Sequence, residues 1–343
     1  MIFRRIVVFT TLILVIACQF VKVEAMPSVG AQSYIVIDGD SGRVISSHKA
    51  DKKLPIASTT KIMTSILAIE TIEDLNQKIE VPPQCSGIEG SSIYLKPRQR
   101  VAIIDLLYGT MLRSGNDAAE TLSKFAGRNN PEGFIAMMNE KAKDLGAHNT
   151  NFVNANGLHD DNHYSTAYDL ALISSYAMKN DLFKEIASAE KYMAESMNNI
   201  FYNKNKVVYQ YEHGTGIKIG YTKAAGRCLV ASAEKNGSNI ITVLLNDNNW
   251  FNDSYQIFDW AFDNYKSYSI VEKGQFVTYV DGKPVFIDES FKCLLTEKEK
   301  SQIKFEALLE AVHLTDESET NICGTYNIYL KDEIIYTGTL ISN

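Results

Sequence analysis

Pro55-Ile56-Ala57-Ser58-Thr59-Thr60-Lys61-Ile62-Met63-Thr64 opens a stretch in which Ile62, Met63, Ile66, Leu67 and Ile69 recur at helical spacing. The spacing predicts a helix over Thr59–Glu70 with Ser58 at its start. Ser58 and Lys61 stand one turn apart, so hydroxyl and amine share a face. An amine that is partly desolvated, or close to another cation, loses its proton more readily and can serve as a base. A hydroxyl at a helix N-terminus also lies where N–H groups and the helix dipole favour a developing anion. On local grounds alone, Ser58 reads first as an N-cap, a common role for serine. The same Ser-x-x-Lys spacing occurs at Ser46/Lys49, Ser188/Lys191, Ser232/Lys235 and Ser301/Lys304, so the pair by itself singles out nothing.

Two further segments change its weight. Ser114-Gly115-Asn116 falls between predicted helices at Val101–Arg113 and Asp117–Phe125. A short loop there can aim a hydroxyl and an amide into a cleft, although Ser, Gly and Asn are also ordinary turn residues. Lys218-Ile219-Gly220 lies in a predicted strand, Ile217–Tyr221, where the lysine supplies positive charge and the glycine permits close backbone approach. Lys235-Asn236-Gly237 has the same form and is read as a turn. Ser-x-x-Lys, Ser-x-Asn and Lys-x-Gly in this order form the motif set of penicillin-recognising serine acyltransferases. The words around them, with Asn156-Gly157-Leu158-His159 and Tyr164-Ser165-Thr166-Ala167-Tyr168-Asp169, closely resemble the low-molecular-mass penicillin-binding proteins, the serine-type D-alanyl-D-alanine carboxypeptidases. The resemblance covers about residues 33–265. More loosely, the tail is similar to the β-rich domain that follows the catalytic domain in that family.

The resemblance implies a set of roles. Ser58 is the acylating nucleophile and Lys61 the general base. Ser114 and Asn116 relay protons and hold the substrate amide, and Lys218 adds positive charge. The backbone N–H groups of Ser58 and Tyr221 form the oxyanion hole, with Ile219 and Gly220 completing the substrate-binding strand. The substrate is a peptidoglycan stem peptide ending in D-Ala-D-Ala, β-lactam antibiotics are acylating inhibitors, and no cofactor or metal is implied. Two positions depart from the family pattern. Ile219 stands in place of a threonine, and Trp250 in place of an arginine, both of which bind the substrate's terminal carboxylate. No arginine follows Arg227. Lys223, Lys235 and Thr222 are candidates to compensate. The expectation is a weakened or retuned carboxypeptidase. The alternatives are a catalytically impaired peptidoglycan-binding protein and a β-lactamase-like hydrolase, for which no deacylating carboxylate stands out.

Outward from these motifs, Ser33–Ile37 and Arg43–Ser47 read as a hairpin around Asp38-Gly39-Asp40-Ser41-Gly42. Glu132–Leu145 and Ala167–Met178 read as helices, Cys228–Ala233 and Ile240–Leu245 as strands, and Asn252–Tyr265 as a closing helix. From about Lys266 the period turns to two, with hairpin signals at Asp281-Gly282 and Lys331-Asp332 and a short helix within Glu297–Leu309. The order gives a mixed α/β fold class: a β-lactamase/transpeptidase-like catalytic domain, an antiparallel sheet with a helical cluster, over residues 26–265, then a small β-rich domain over 266–343.

Residues 1–25 read as a signal peptide, with Arg4 and Arg5 before an apolar Ile6–Ala17 and Val23-Glu24-Ala25 at the cleavage site. Val15-Ile16-Ala17-Cys18 offers a competing lipobox. Any membrane attachment is then N-terminal, and the protein works outside the cytoplasm, in the wall or at the outer membrane face. Cys85, Cys228, Cys293 and Cys323 form no CxxC pair; Cys293 and Cys323 are the candidate disulfide, with buried thiols the alternative. A net charge of −7 over 343 residues argues against a nucleic-acid partner, and no phosphate-binding glycine motif occurs. His159-Asp160-Asp161-Asn162-His163 has ligand-type residues, but Gly157 and Asn162 place it in a loop, where the four-residue histidine spacing does not converge on a metal.

Overall fold

The computed structural model describes residues 25–128, 130–309 and 321–342. The signal-peptide and Cys18 readings lie outside the described residues, apart from Ala25. Two strands, β1 (Ser33–Asp38) and β2 (Val44–His48), form the expected hairpin. A 3-10 turn (Ala57–Thr60) leads into α1 (Lys61–Thr71), followed by β3 (Lys78–Glu80), β4 (Arg100–Ala102), α2 (Ile103–Leu112), α3 (Asn116–Ala126), α4 (Pro131–Asp144), α5 (Ala167–Met178) and α6 (Asp181–Ser188). A small hairpin of β5 (Lys191–Ala194) and β6 (Asn199–Tyr202) and a turn of helix α7 (Val207–Gln210) precede β7 (Gly214–Thr222), β8 (Gly226–Lys235), β9 (Ser238–Leu245) and α8 (Trp250–Asn264).

β1, β2 and β7–β9 make one antiparallel sheet in the order β2-β1-β9-β8-β7, so β7 is an edge strand. Side chains alternate across it. Ile35 and Ile37 of β1, Val230 of β8, and Ile241 and Val243 of β9 pack with α1–α6 in one core. Val36, Leu229, Ala231, Ile240 and Leu244 pack on the other face with Ile257, Phe258 and Ala261 of α8. Both faces are covered, which is why Ile240–Leu245 reads as an almost unbroken apolar run. The turn between β8 and β9 has Asn236 at φ 52° and Gly237 at φ 75°, the positive-φ pair of a tight hairpin, so the motif look-alike at Lys235 is indeed a turn.

Beyond α8 the chain is β-rich. β10 (Lys266–Val271) pairs with β13 (Phe291–Leu295), and β11 (Phe276–Val280), β12 (Lys283–Ile287), β14 (Ile303–Leu309), β15 (Asn321–Leu330) and β16 (Glu333–Ser342) form a five-stranded antiparallel sheet. Val285, Ile287, Tyr326, Ile328 and Leu340 bury against Val271, Phe291, Cys293 and Leu295 between the two sheets. The short helix expected within Glu297–Leu309 is α9 (Glu297–Lys300), a single turn held by a Thr296/Glu299 capping box. Ile303–Leu309 is a strand, paired along its whole length with β15. The first hairpin reaches this region: Asp38 accepts from Leu294 N at 2.9 Å, and Arg43 pairs with Glu299. Cys85, Cys228, Cys293 and Cys323 are buried and unbridged, so the Cys293–Cys323 disulfide is not formed. Among the described residues no helix is long and apolar enough to cross a membrane.

Candidate active site

Ser58 does not cap a helix. The N-cap positions are Ile56 for the 3-10 turn and Thr60 for α1, and neither uses a side-chain cap. The hydroxyls of Thr59 and Thr60 turn back to Ile56 O and Ala57 O at 2.7 and 2.8 Å. Ala57 is held at φ 49°, a strained left-handed conformation for a residue with a Cβ, immediately before Ser58. Ser58 Oγ lies 3.0 Å from Lys61 Nζ.

The surroundings of Lys61 set what that contact can do. Its Nζ, fully buried, donates to Asn116 Oδ1 at 2.7 Å and to the Asn156 carbonyl. Asn116 is oriented by its Nδ2, which donates to Glu89 O at 2.6 Å, so its acceptor must face the lysine. Both carbonyl-type oxygens accept only. When Lys61 is an ammonium, its three protons serve Asn116, Asn156 and Ser58. When it is neutral, its two protons stay with the obligate acceptors and its lone pair is left for the Ser58 hydroxyl. Loss of one proton therefore turns Ser58 from acceptor into donor. Burial pushes the Lys61 amine well below an ordinary lysine, Lys218 and Lys204 push it further, and Glu120 opposes them.

Lys218 and Gly220 sit opposite Val230 and Cys228, on the face of the sheet that meets the helices. Lys218 Nζ donates to Ile219 O at 3.0 Å, and burial together with Lys204 lowers its amine to about 7. A Cβ at position 220 would stand 2.9 Å from Ser58 N and 3.1 Å from Ile56 O. Only glycine lets the β7 edge come this close to the Ser58 backbone. Gly157, at φ 82°, closes the other side, where a Cβ would meet Ala57 O at 2.0 Å. Ser114 is buried at φ 61° in the turn between α2 and α3. Asp117, expected to steady the start of α3, also accepts from Ile93 N, Leu95 N and Ser92 Oγ, pinning the segment that carries Glu89 and Ser91.

Ser58, Lys61, Asn116, Lys218 and Gly220 are thus brought together, with Ser114 two residues before Asn116, but along β7 the faces differ. Ile219 and Tyr221 lie opposite Leu229 and Arg227, toward α8. Ile219 and Trp250, the two positions expected to depart from the family pattern, pack against the same apolar cluster. The Arg227 guanidinium lies over Trp250 at 6.0 Å and donates to Asn248 O at 2.7 Å. Lys235 is at the far end of β8, over Phe262, and does not compensate; Thr222 Oγ1 accepts from Ala225 N within its turn. Three contributors carried no assigned role in the sequence reading: Lys204, Glu120 and the Asn156 carbonyl. Lys204 Nζ reaches Ser91 Oγ at 3.2 Å from an irregular segment with no motif. Glu120 was detectable, because it follows Asn116 by four residues on one helix.

The sequence pattern of the D-alanyl-D-alanine carboxypeptidase family (peptidase S11) matches residues 20–249. The chain belongs to the D-alanyl-D-alanine carboxypeptidase family. It is 32% identical over 271 residues to the D-alanyl-D-alanine carboxypeptidase DacF of Bacillus subtilis, covering 75% of this chain and 69% of that one. It is 34% identical over 283 residues to DacC of Escherichia coli, covering 78% and 69%. In structure it is similar to the Streptomyces K15 DD-transpeptidase, with TM-score 0.66, 29% identity, and coverage of 70% of this chain and 99% of that one. Penicillin-binding protein 5 of Haemophilus influenzae shares the fold over 93% of this chain and 98% of its own, with TM-score 0.79 and 24% identity. That coverage includes the β-rich tail, so the family likeness in fold extends past α8.

The family segment His159–His163 has a structural use in this carboxypeptidase fold. His163 is buried; its Nε2 lies 2.7 Å from Thr60 Oγ1 and its Nδ1 accepts from Val153 N at 3.2 Å. That second bond requires an unprotonated Nδ1. Burial lowers the imidazole to about 4. The folded value lies below the unfolded one, so the unfolded state binds more protons between about pH 6.5 and about pH 4, and stability falls as pH drops through that window. The loss expected from His163 is about 3 kcal/mol. Denaturant titrations at the two ends of the window should show it, and His163→Asn should reduce the difference between them by about that amount; an unchanged difference would contradict the neutral assignment. Among the described residues no group of three or more His, Cys, Asp or Glu is placed to hold a metal.

Proposed function

We propose that this family member is an active serine D-Ala-D-Ala carboxypeptidase that acts on peptidoglycan stem peptides through an acyl-enzyme on Ser58. The observation that carries this reading is the Lys61 environment, in which two obligate acceptors leave a neutral amine's lone pair for the Ser58 hydroxyl. Ser58 Oγ attacks the carbonyl of the penultimate D-Ala as Lys61 takes its proton. The oxyanion is stabilised by the N–H groups of Ser58 and Tyr221, a contribution typically worth about 3 kcal/mol per donor. The close approach of Gly220 to Ser58 N supports that pairing. D-Ala leaves with a proton passed through Lys61 and Ser114. Water then hydrolyses the ester, with Lys61 again taking the proton. Lys218 supplies the positive field beside the reacting atoms, and Asn116 holds both Lys61 and the substrate amide.

Residues 26–265 are the peptidase unit in this reading and 266–343 its β-rich companion. The protein is exported and works on the wall outside the cytoplasmic membrane, and β-lactams acylate Ser58 in place of substrate. The test is quantification of D-Ala released from a D-Ala-D-Ala-terminated stem pentapeptide, before and after saturation with a penicillin. Release that the penicillin abolishes supports the reading; no release from folded protein contradicts it.

Ile219 and Trp250 predict reduced capture of the substrate's terminal carboxylate. A charge-assisted hydrogen bond is worth about 1.5–3 kcal/mol. Ile219→Thr is therefore expected to raise kcat/KM for D-Ala release about tenfold or more, while losing some packing against the α8 cluster. Steady-state kinetics would check this, and an unchanged kcat/KM would remove the carboxylate explanation.

A further inference from the structure

Glu120 follows Asn116 by one helical turn on α3, so the two side chains leave the same face. Glu120 Oε1 accepts from Asn156 Nδ2 at 2.7 Å, and the Asn156 carbonyl is a partner of Lys61 Nζ. The rest of that turn is stitched internally: Asn156 Oδ1 accepts from Leu158 N at 2.8 Å and Asn154 Oδ1 from Gly157 N at 2.7 Å. The Asn156 amide nitrogen is thus held by α3, and it ties the turn to the helix that carries Asn116.

The charges around the amine come from several elements. Lys61 is faced by Lys218 from β7, by Lys204 from the segment after β6, and by Glu120 and Asp117 from α3. His163 lies below it, neutral, on Thr60. Glu120 faces Lys61, Lys124 on its own helix, and the Cys85 thiol. Asp117 is committed to the 92–95 backbone, and of the two carboxylates Glu120 has the larger pull on Lys61.

We propose that Glu120 is a positioning residue for acyl transfer: it holds Asn156 so that its carbonyl orients Lys61, and its charge balances Lys204 and Lys218 at that amine. This assignment rests on the proposed roles of Ser58 and Lys61. Burial and then Lys218 and Lys204 draw that amine down toward a base, and Glu120 opposes them.

The variants separate the two contributions. Glu120→Gln retains an acceptor for Asn156 Nδ2 and removes the charge. A negative charge favours the protonated lysine, so its removal favours the neutral amine and lets acylation persist to lower pH. The readout is the rate of covalent labelling by a fluorescent penicillin from about pH 5 to about pH 9, with D-Ala release followed in parallel. In Glu120→Gln the acidic limb is expected to move down by about half a pH unit or more. In Glu120→Ala the same shift is expected, with a plateau about tenfold lower because Asn156 is no longer held. A purely structural role would leave the midpoint of the limb in place. A Glu120→Gln profile that superimposes on the wild type overturns the assignment while leaving the carboxypeptidase reading intact. Wild-type labelling without D-Ala release overturns the carboxypeptidase reading and leaves the Glu120 comparison decisive. A chain that does neither overturns both.

Discussion

Ser58→Ala is expected to abolish D-Ala release and penicillin adduct formation, with a loss of at least about 10⁴-fold. Ser58 Oγ is the atom at 3.0 Å from Lys61 Nζ, its proposed base, and Ser58 is less buried than the Thr59 and Thr60 beside it. Removing it deletes the bond-forming atom and leaves Gly220, Lys218 and Asn116 in place. The fold should survive, because the variant removes one hydrogen bond and no core contact, a cost of about 1 kcal/mol. Intact mass after penicillin treatment and D-Ala quantification give the answer together. A residual rate within tenfold of wild type would place the nucleophile elsewhere.

Lys61→Ala is expected to reduce acylation by about 10³–10⁴-fold, within the range of a lost general base. Three features make lysine hard to replace here. Its length lets it reach Ser58, Asn116 and Asn156 at once. Its burial beside Lys218 makes the neutral form accessible. Its two remaining protons are directed away from Ser58. The variant strands Asn116 Oδ1 and the Asn156 carbonyl without a donor, a penalty of about 1–3 kcal/mol per group. Relief of the buried amine offsets part of that. The distinguishing signature is in the pH profile. Wild-type labelling should rise with pH through an acidic limb, and the weak residual labelling of Lys61→Ala should lack that limb. Penicillin labelling across pH checks both, and a retained limb would mean that another group takes the Ser58 proton.

Much of this site was legible because each motif is short and tied to one element. Ser58 and Lys61 were one turn apart, and Gly220 needed only the rule that a strand glycine permits close approach. The long-range partners were not legible. Asn116 Oδ1 meets Lys61 across 55 positions and Asn156 across 95, distances that no local period encodes. The same limit explains the elements missed. β3 and β4 are three residues each, too short to show alternation. β14 was not read as a strand, because Ile303–Leu309 lacks clean alternation and its pairing with β15 is a tertiary fact. The facing of Ile219 toward α8 depended on strand register, which became readable only once Ile219 was seen opposite Leu229. The N-cap reading of Ser58 failed for a related reason. The segment starts as a 3-10 turn, which moves the cap positions to Ile56 and Thr60.

The most direct test is to quench the protein in acid during turnover of a D-Ala-D-Ala-terminated stem pentapeptide and map its peptides by mass spectrometry. The predicted result is a mass increment equal to the substrate less one D-Ala, confined to the peptide that contains Ser58 and absent from Ser58→Ala. D-Ala release with no covalent intermediate, or an adduct on a different residue, would contradict acyl transfer through Ser58.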